Sequence, residues 1–214
     1  MALENYYINQ IDYKTAMDII VSNHYLHRKA PCSKAFGLFN GEDELVGVVC
    51  YGTPASRSLQ VGVCGREEAN NVIELTRLWV DDKVPKNGES FLIGNTIRNV
   101  DKDILVSYAD STQNHIGYVY QATNWTYTGL SDAHVEWRIN GLNGKHSRHK
   151  FDELGGVNKA KQILGDAIVR YDRPRKHRYI YINAKGRRRE ELLSKLKYPV
   201  LPYPKFDNPD QKVV

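Results

Sequence analysis

The chain has 214 residues, long enough to bury a hydrophobic core without staples, and its 41% apolar and 26% charged composition excludes a mainly disordered chain. No run approaches the roughly 18 apolar residues of a membrane span, and the first thirty residues lack the pattern of a secretory signal. The net charge of +5 is unevenly spread: residues 1–133 carry 11 Lys+Arg and 16 Asp+Glu, residues 134–205 carry 18 and 7, and residues 206–214 carry one and two. This predicts an acidic core (1–133), a basic lobe (134–205) and a short tail (206–214). The lobe suits an anionic partner, nucleic acid first, or is simply a solvated basic surface. Cys32, Cys50 and Cys64 are odd in number and contain no CxxC pair, so a reducing cytosol is the expected home.

In chain order, Tyr6–Ile11 reads as a strand and Asp12 as the N-cap of a helix carrying Ala16, Ile19 and Ile20 at helical spacing. A polar loop, His24 to Lys29, precedes two strands at about 34–40 and 44–51, joined by the turn residues Asn40-Gly41-Glu42-Asp43. The glycine-rich stretch 52–71 reads as loop with at most a short strand. VIELTRLWV (72–80) is a long strand, Phe91–Val100 an amphipathic helix, ILVSYA (104–109) a strand buried on both faces, Ile116–Thr123 a helix, and Trp125–Thr128 a strand stopped by Gly129. Strand–helix–strand–helix–strand over 72–128 predicts an α/β unit with parallel pairing. In the lobe, HVEWRI (134–139) reads as a strand, short helices end at Gly155-Gly156 and Gly165, HRYIYI (177–182) alternates as a strand able to complete the core sheet, and a last helix spans Arg188–Lys197.

The ordered motifs VIELTRLWVDD, NGESF, ILVSYADS and GYVYQATNW resemble the Mom-type DNA modification enzymes of bacteriophages, within the Gcn5-related N-acetyltransferase superfamily. The resemblance covers roughly residues 24–150. It implies an α/β fold with a mixed, mostly antiparallel central sheet, a splayed parallel strand pair and flanking helices. It also implies acetyl-coenzyme A as donor, double-stranded DNA as partner, and conversion of adenine to a carbamoylmethyl derivative that shields phage DNA from restriction in the cytoplasm of the infected host. The turn Lys86–Ser90 before a helix is a natural phosphate cradle; in the superfamily it holds the pyrophosphate, which marks Lys86, Asn87, Gly88 and Ser90, with Ser90 either joining the cradle or capping the helix. Backbone N–H groups near Leu78–Val80 would polarise the thioester. YQATNW resembles the superfamily's Y-x-x-x-G-F, making Tyr120 the general acid, with Asn124 in the glycine position because Asn also visits left-handed angles. Tyr118, about 200° away around the helix, is expected in the core.

Strand alternation puts Arg77 on the face of Leu75 and Trp79, opposite Glu74 and Thr76. There it needs a partner, either Asp110 or a substrate phosphate. Asp110, at a strand C-terminus, is open as base, as orienter of Arg77 or as contact to a base amine. His24 and Tyr25 lie in the loop that lines the acceptor side in this fold, and His24 is the other candidate base. Base flipping would bring the adenine to the cleft. Lys145, His146, Arg148 and Lys150, then Arg175 and Lys176, then Arg187, Arg188 and Arg189 are candidate nucleic-acid contacts, with Tyr171, Tyr179 and Tyr181 interleaved for stacking. Neither His24-x-x-His27 with Cys32 nor His146-x-x-His149 matches a closed zinc pattern; the resemblance leaves an iron open. Two other classes fit the same sequence: an N-acetyltransferase acting on protein, transfer RNA or a small amine, and a non-catalytic DNA-binding protein on a degenerate fold.

Overall fold

A computed structural model describes residues 3–142 and 147–205, without the side chains of Arg148 and His149. The expected contacts Lys145 and His146, the side chain of Arg148 and the tail 206–214 lie outside the described residues. The strands are β1 (Tyr7–Ile11), β2 (Lys34–Phe39), β3 (Leu45–Gly52), β4 (Val72–Val80), β5 (Ile104–Ala109), β6 (Thr126–Leu130), β7 (His134–Ile139), β8 (Ile168–Arg173) and β9 (His177–Ile182). The helices are α1 (Tyr13–Asn23), α2 (Arg57–Cys64), α3 (Gly88–Thr96), α4 (Tyr118–Ala122), α5 (Ser147–Glu153), α6 (Val157–Leu164) and α7 (Gly186–Ser194).

Seven strands form one sheet in the order β1-β2-β3-β4-β5-β9-β6, and β7 and β8 form a separate ribbon. The sheet is antiparallel throughout except for β4 and β5, which are parallel and pair only over Val72–Glu74 against Ile104–Val106. Beyond that the two strands diverge. The expected parallel α/β unit over 72–128 therefore reduces to one parallel pair. β9 inserts between β5 and β6, so β6 never reaches β5. Its alternation fits a central position: Tyr179, Ile180 and Ile182 are buried on the two faces.

Local chemistry sets the helices on those faces. Asp12 caps α1, its carboxylate accepting from Thr15 N at 2.9 Å and Thr15 Oγ1 at 2.8 Å. Through Ala16, Met17 and Ile20, α1 packs over Ala35, Val48 and Cys50. The stretch 52–71 contains α2, where a loop was expected. Ser56 caps it, and Gly62 inside it is no breaker, because a Cβ there would lie 2.7 Å from the Tyr198 hydroxyl. Val63 and Cys64 of α2 and Leu192 of α7 cover Val72, Ile104, Val106 and Ile180. On the other face, α3 buries Leu92 and Ile93 among Tyr51, Leu75 and Leu105, and Thr96 bonds the Tyr51 hydroxyl at 2.8 Å. Helix α3 starts at Gly88, three residues before the expected Phe91, and β6 runs through Gly129 to Leu130 because the glycine (φ 87°) forms an irregularity in the ladder.

A charged network seats α7. Arg188 donates to Glu68 (2.7 Å) and Asp103 (3.1 Å), and Lys195 donates to Glu68 at 3.1 Å. Arg189 donates to the Ile182 carbonyl at 2.7 Å. Arg188 and Arg189 thus tie the helix to the sheet and are not free for phosphate, which corrects that expectation; an arginine in a first helical turn is tolerable where carboxylates on other elements meet it. The Arg188 guanidinium, against burial, holds the Glu68 carboxyl down to about 2. Its folded value lies below its unfolded one, so its contribution is full above about pH 4.5 and is lost as pH falls toward 2. Replacing Glu68 with Gln is expected to cost about 2 kcal/mol at pH 7, a fall of roughly 4–8 °C in Tm for a chain of this size, and to shrink the difference in Tm between pH 7 and pH 3. Thermal melts of both proteins at the two pH values check this.

Candidate active site

The divergence of β4 and β5 opens a cavity of about 700 Å³. Its walls come from β4, the C-terminal end of β5, the turn before α3, the loop after α1 and the segment leading into α4. His24, Tyr25, Arg77, Asp110 and Tyr120 all line it, as do Leu78 and Val80 of β4 and Lys86, Asn87 and Ser90 of the turn. Gly88 stands just behind that wall, its missing Cβ avoiding Val84 Cγ1, which would lie 2.6 Å away. Residues spread over a hundred positions of sequence are thereby brought to one place.

The turn is built by Asn87 in the left-handed region (φ 76°). The first backbone bond of α3 joins Phe91 N to Asn87 O, so the N–H groups of Glu89 and Ser90 precede the helix's own ladder and point out of its start. Ser90 Oγ donates to Asn87 O at 3.0 Å. Its hydroxyl proton is spent locally, which favours the cap over the cradle for that side chain. Lys86 and Glu89 flank the turn with opposite charges.

Arg77 departs from simple alternation. Cys50 pairs with Arg77 but Tyr51 pairs with Leu75, so Thr76 is an extra residue, a β-bulge. The bulge turns Arg77 away from the Leu75 face. It shares the opposite face with Trp79 and Cys50, on the α1 side, and Glu74 shares that face as well. Arg77 is not paired with Asp110. One guanidinium nitrogen donates to its neighbour's carbonyl, Thr76 O, at 2.6 Å, and its buried Nε has no acceptor.

Asp110 is bound elsewhere. Its carboxylate accepts from Thr112 N (3.1 Å), Thr112 Oγ1 (2.7 Å) and Lys176 Nζ (2.8 Å). Burial works to raise this carboxyl, and the hydrogen bonds from Lys176 and Thr112 outweigh it, so it stays below the ordinary range. That removes the role of orienting Arg77 and makes Asp110 a weak base. Lys176, expected on a nucleic-acid surface, stands on the cavity wall. His24 is 7% exposed and stacks on Tyr25 with ring centroids 4.4 Å apart. Its Nδ1 accepts from Leu26 N at 3.1 Å, so the ring proton sits on Nε2 and the side chain offers a donor. Burial and the charge of Arg77 hold it down to about 4. A neutral imidazole with its free nitrogen protonated is not the base that the sequence suggested.

Glu74 fits that role better. It lies at the last paired position of the parallel strands, on the cavity wall, and burial raises it to about 6 against the pull of Arg77 and Lys176. Sequence reading passed over it by placing it on the face opposite Arg77. A Thr beside an Arg in a strand next to a glycine-ended partner was the only cue to the bulge. Tyr120 is 6% exposed. Its hydroxyl lies 2.7 Å from Ser107 Oγ, whose proton goes to Leu75 O at 3.0 Å, and burial raises the phenol to about 12. It keeps its proton at neutral pH. Asn124 (φ 61°) takes the left-handed position that the motif requires. Tyr118 is 47% exposed and lines the cavity, so it is not a core residue. Tyr179, fully buried with its hydroxyl bonded to Ile116 O, is a core residue and not a stacking platform, and Tyr181 packs against the same core. Its ring also fixes Gly117 (φ 86°), where a Cβ would lie 2.4 Å from the Tyr179 ring.

Among the described residues no three His, Cys, Asp or Glu side chains come together as metal ligands. His24 accepts at Nδ1 and so carries its proton on the outward nitrogen, and His24, His27 and Cys32 do not come together as a metal-ligand group. Among those residues, too, no helix is long and apolar enough to cross a membrane.

A mixed, mostly antiparallel sheet opened over a cavity at its one parallel strand pair, with helices on both faces, defines an α/β fold. The chain belongs to the Mom protein family, whose model matches residues 5–205. It is 28% identical over 204 residues to "Methylcarbamoylase mom" of Escherichia phage Mu, covering 86% of this chain and 74% of that protein. Among solved structures it is similar to yncA, a putative acetyltransferase from Salmonella typhimurium with acetyl-CoA (TM-score 0.48, 10% identity, 86% of this chain and 96% of that one). It is also similar to a Bacillus subtilis acetyltransferase in complex with CoA (TM-score 0.43, 12% identity, 83% and 97%).

The Asp110–Lys176 pair makes a direct prediction. Lys176→Met removes the hydrogen bond that holds the carboxyl down while burial remains, so the Asp110 pKa should rise. Carboxyl-carbon NMR titration of the two proteins measures it; an unmoved Asp110 would show that the Thr112 bonds suffice.

Proposed function

We propose that this protein is a DNA-modifying transferase. It draws on an acyl-coenzyme A-type donor such as acetyl-CoA and transfers the donor's acyl group to the exocyclic amine of adenine in double-stranded DNA, the amine nitrogen bonding the carbonyl carbon as the carbon–sulfur bond breaks, and so protects phage DNA from restriction in the host cytoplasm. Family membership and the name of the phage Mu relative support a group-transfer reaction on DNA. The observation that carries the reading is a single cavity holding a neutral buried phenol, Tyr120, and a carboxyl that titrates near neutrality, Glu74. Transfer to an amine needs both a proton donor for the leaving group and a proton acceptor for the nucleophile.

The donor fits the turn before α3, where Asn87, Gly88 and the free N–H groups of Glu89 and Ser90 would take its pyrophosphate, with Lys86 adding positive charge. When bound it supplies the activated acyl group. The edge of β4 from Leu75 to Val80 faces the opening without a β5 partner, and its N–H groups near Leu78 and Val80 are placed to polarise a carbonyl. Tyr120 gives its proton to the departing sulfur. Glu74 accepts a proton from the amine, and the Arg77 guanidinium on the cavity wall and His24 Nε2–H offer donors to the ring nitrogens of the base. Adenine must leave the helical stack to reach them, at a cost of a few kcal/mol, and the half-exposed Tyr25 and Tyr118 at the mouth offer aromatic faces to receive it.

Mass spectrometry of nucleosides from DNA incubated with the protein and donor is expected to find modified deoxyadenosine. Unmodified nucleosides from a preparation that transfers to a protein, transfer RNA or small amine would overturn the DNA reading. For the chemistry, Glu74→Gln is expected to lower kcat/KM by roughly 10²–10⁴ and to abolish the fall in rate below about pH 6 that protonation of this carboxyl imposes on the natural protein. An acid limb that persists in the variant would assign the base elsewhere.

A further inference from the structure

The basic region does not carry its charge where the sequence suggested. Arg188, Arg189 and Lys195 are spent on seating α7. Arg178 is buried, bonded to Thr128 and stacked 3.4 Å over the Tyr198 ring. Arg175 donates to the Ser131 carbonyl at 2.6 Å. Among the described residues, exposed cations with no such role include Lys185 and Arg187 at the start of α7 and a group on the lobe formed by the β7–β8 ribbon with α5 and α6.

This ribbon leaves the central sheet where β6 ends and β9 begins. Ser131 N donates to Lys176 O (2.7 Å) and Lys176 N to Ser131 Oγ (3.0 Å), strapping its two legs together. The same Lys176 holds Asp110 on the cavity wall. The root of the ribbon is therefore the rim of the site. Register divides its faces: His134, Glu136 and Arg138 lie with Arg173, Tyr171 and Val169 on one side, and Trp137 and Ile139 with Arg170 and Ile168 on the other. The second face is covered by α6 around Trp137, with Lys161 3.2 Å over that ring, while Val135, Arg170 and Asp172 on it stay exposed and Arg170 is paired with Asp172. The first is open: Tyr171 is 48% exposed, and the Arg138 guanidinium stacks 4.1 Å above it. Glu136 lies 3.4 Å from Arg138 and 3.5 Å from Arg173, one carboxylate between two guanidiniums. Exposed pairs of this kind contribute little stability, so they orient the arginines and leave a net positive face.

We propose that the open face of this ribbon, through Arg138, Tyr171 and Arg173, docks in a groove of duplex DNA and delivers the adjacent base to the cavity. Six residues per strand at about 3.3 Å each make a ribbon about 20 Å long, and a two-stranded ribbon fits the B-form major groove, about 12 Å wide. The exocyclic amine of adenine lies in that groove. A ribbon rooted at the cavity mouth thus engages the edge of the duplex from which the amine is presented, while the arginines reach phosphate or base edges. The inference rests on the DNA reading above and adds where the duplex is held.

The test is binding of a fluorescent 20-base-pair duplex and of its single strand by the full chain across a salt series. Arg138→Gln/Arg173→Gln is compared with the natural protein, and Lys14→Gln, an exposed cation on α1 paired with Asp18, serves as a control. Arg173→Gln alone keeps the experiment readable if the double variant folds poorly, and donor binding reports the fold. The double variant should bind the duplex at least tenfold more weakly, with its log–log salt slope reduced by about 2, while duplex binding by Lys14→Gln and donor binding by the double variant stay unchanged. Unchanged duplex affinity and slope in both ribbon variants would overturn the ribbon while leaving the DNA reading intact. Equal affinity for the single strand, equally lost, would overturn groove docking. Absence of any DNA binding by the natural protein would overturn both.

Discussion

The structure depends on where β4 and β5 stop pairing. They hold a parallel ladder for three residues and then part at Leu75 and Ser107. The parting leaves backbone groups that must be satisfied, and a side chain does so: Ser107 Oγ lies 3.0 Å from Leu75 O, bridging a gap that the β5 backbone no longer spans, and 2.7 Å from the Tyr120 hydroxyl. One step later the Thr76 bulge, its hydroxyl bonded to Cys50 O at 3.2 Å and Pro31 O at 2.9 Å, sharpens the twist of β4 away from β5. The opening is thus built by two hydroxyl side chains, and the cavity is its consequence.

The same constraint distributes chemistry between the two faces. Before the bulge Glu74 faces the α2 and α7 side; after it Arg77 faces that side too, where uninterrupted alternation over an odd number of steps would set them apart. Ser107 and Tyr120 lie on the α3 side. The gap between the strands connects the two. Insertion of β9 beyond β5 keeps the opposite edge of β5 fully paired from Ile104 to Ala109, so the opening has one rigid lip. The aromatic packing of Tyr120 against Trp125 and Tyr179, at centroid distances of 5.2 and 5.1 Å, fixes the phenol from below.

Much of this was legible in the residues. Strands with clear alternation or continuous apolar runs, the Asp12 cap and the left-handed Asn124 follow from local rules, and linked motifs identify the fold. The misses have a common physical origin in tertiary context. Gly62 reads as a breaker until Tyr198 is seen against it. The bulge at Thr76 inverts a face assignment that strict periodicity makes with apparent security, and this hid Glu74. A run of three arginines reads as a phosphate patch until Glu68 and Asp103, more than eighty residues away, are found beneath Arg188. Tyr179 and Tyr181 sit among cations in sequence but face the core in space. Net charge by segment is a sound observation; which of those charges meets solvent is decided by partners that lie far away in the chain.

The proton affinities within the cavity separate its groups into distinct roles at neutral pH. The Tyr120 phenol near 12 remains protonated, and the His24 imidazole near 4 remains neutral with its outward nitrogen a donor. Asp110 is ionised and held by Lys176, an interaction that neutralises both charges within the wall. Arg77 is cationic with a buried N–H unsatisfied. Glu74, near 6, is the group whose proton can be taken up and released at modest cost. An aromatic amine is a weak base and a weak nucleophile, since its lone pair is delocalised into the ring; it gains little from a strong general base acting on the ground state. It gains more from an acceptor that removes the proton as the new bond makes the nitrogen acidic, and from donors that compete for the ring nitrogens and hold the plane in position. In the proposed reaction a carboxyl near two cations, beside fixed donors and opposite a neutral phenol, would meet those requirements, its neighbours tuned by burial together with nearby charges and hydrogen bonds.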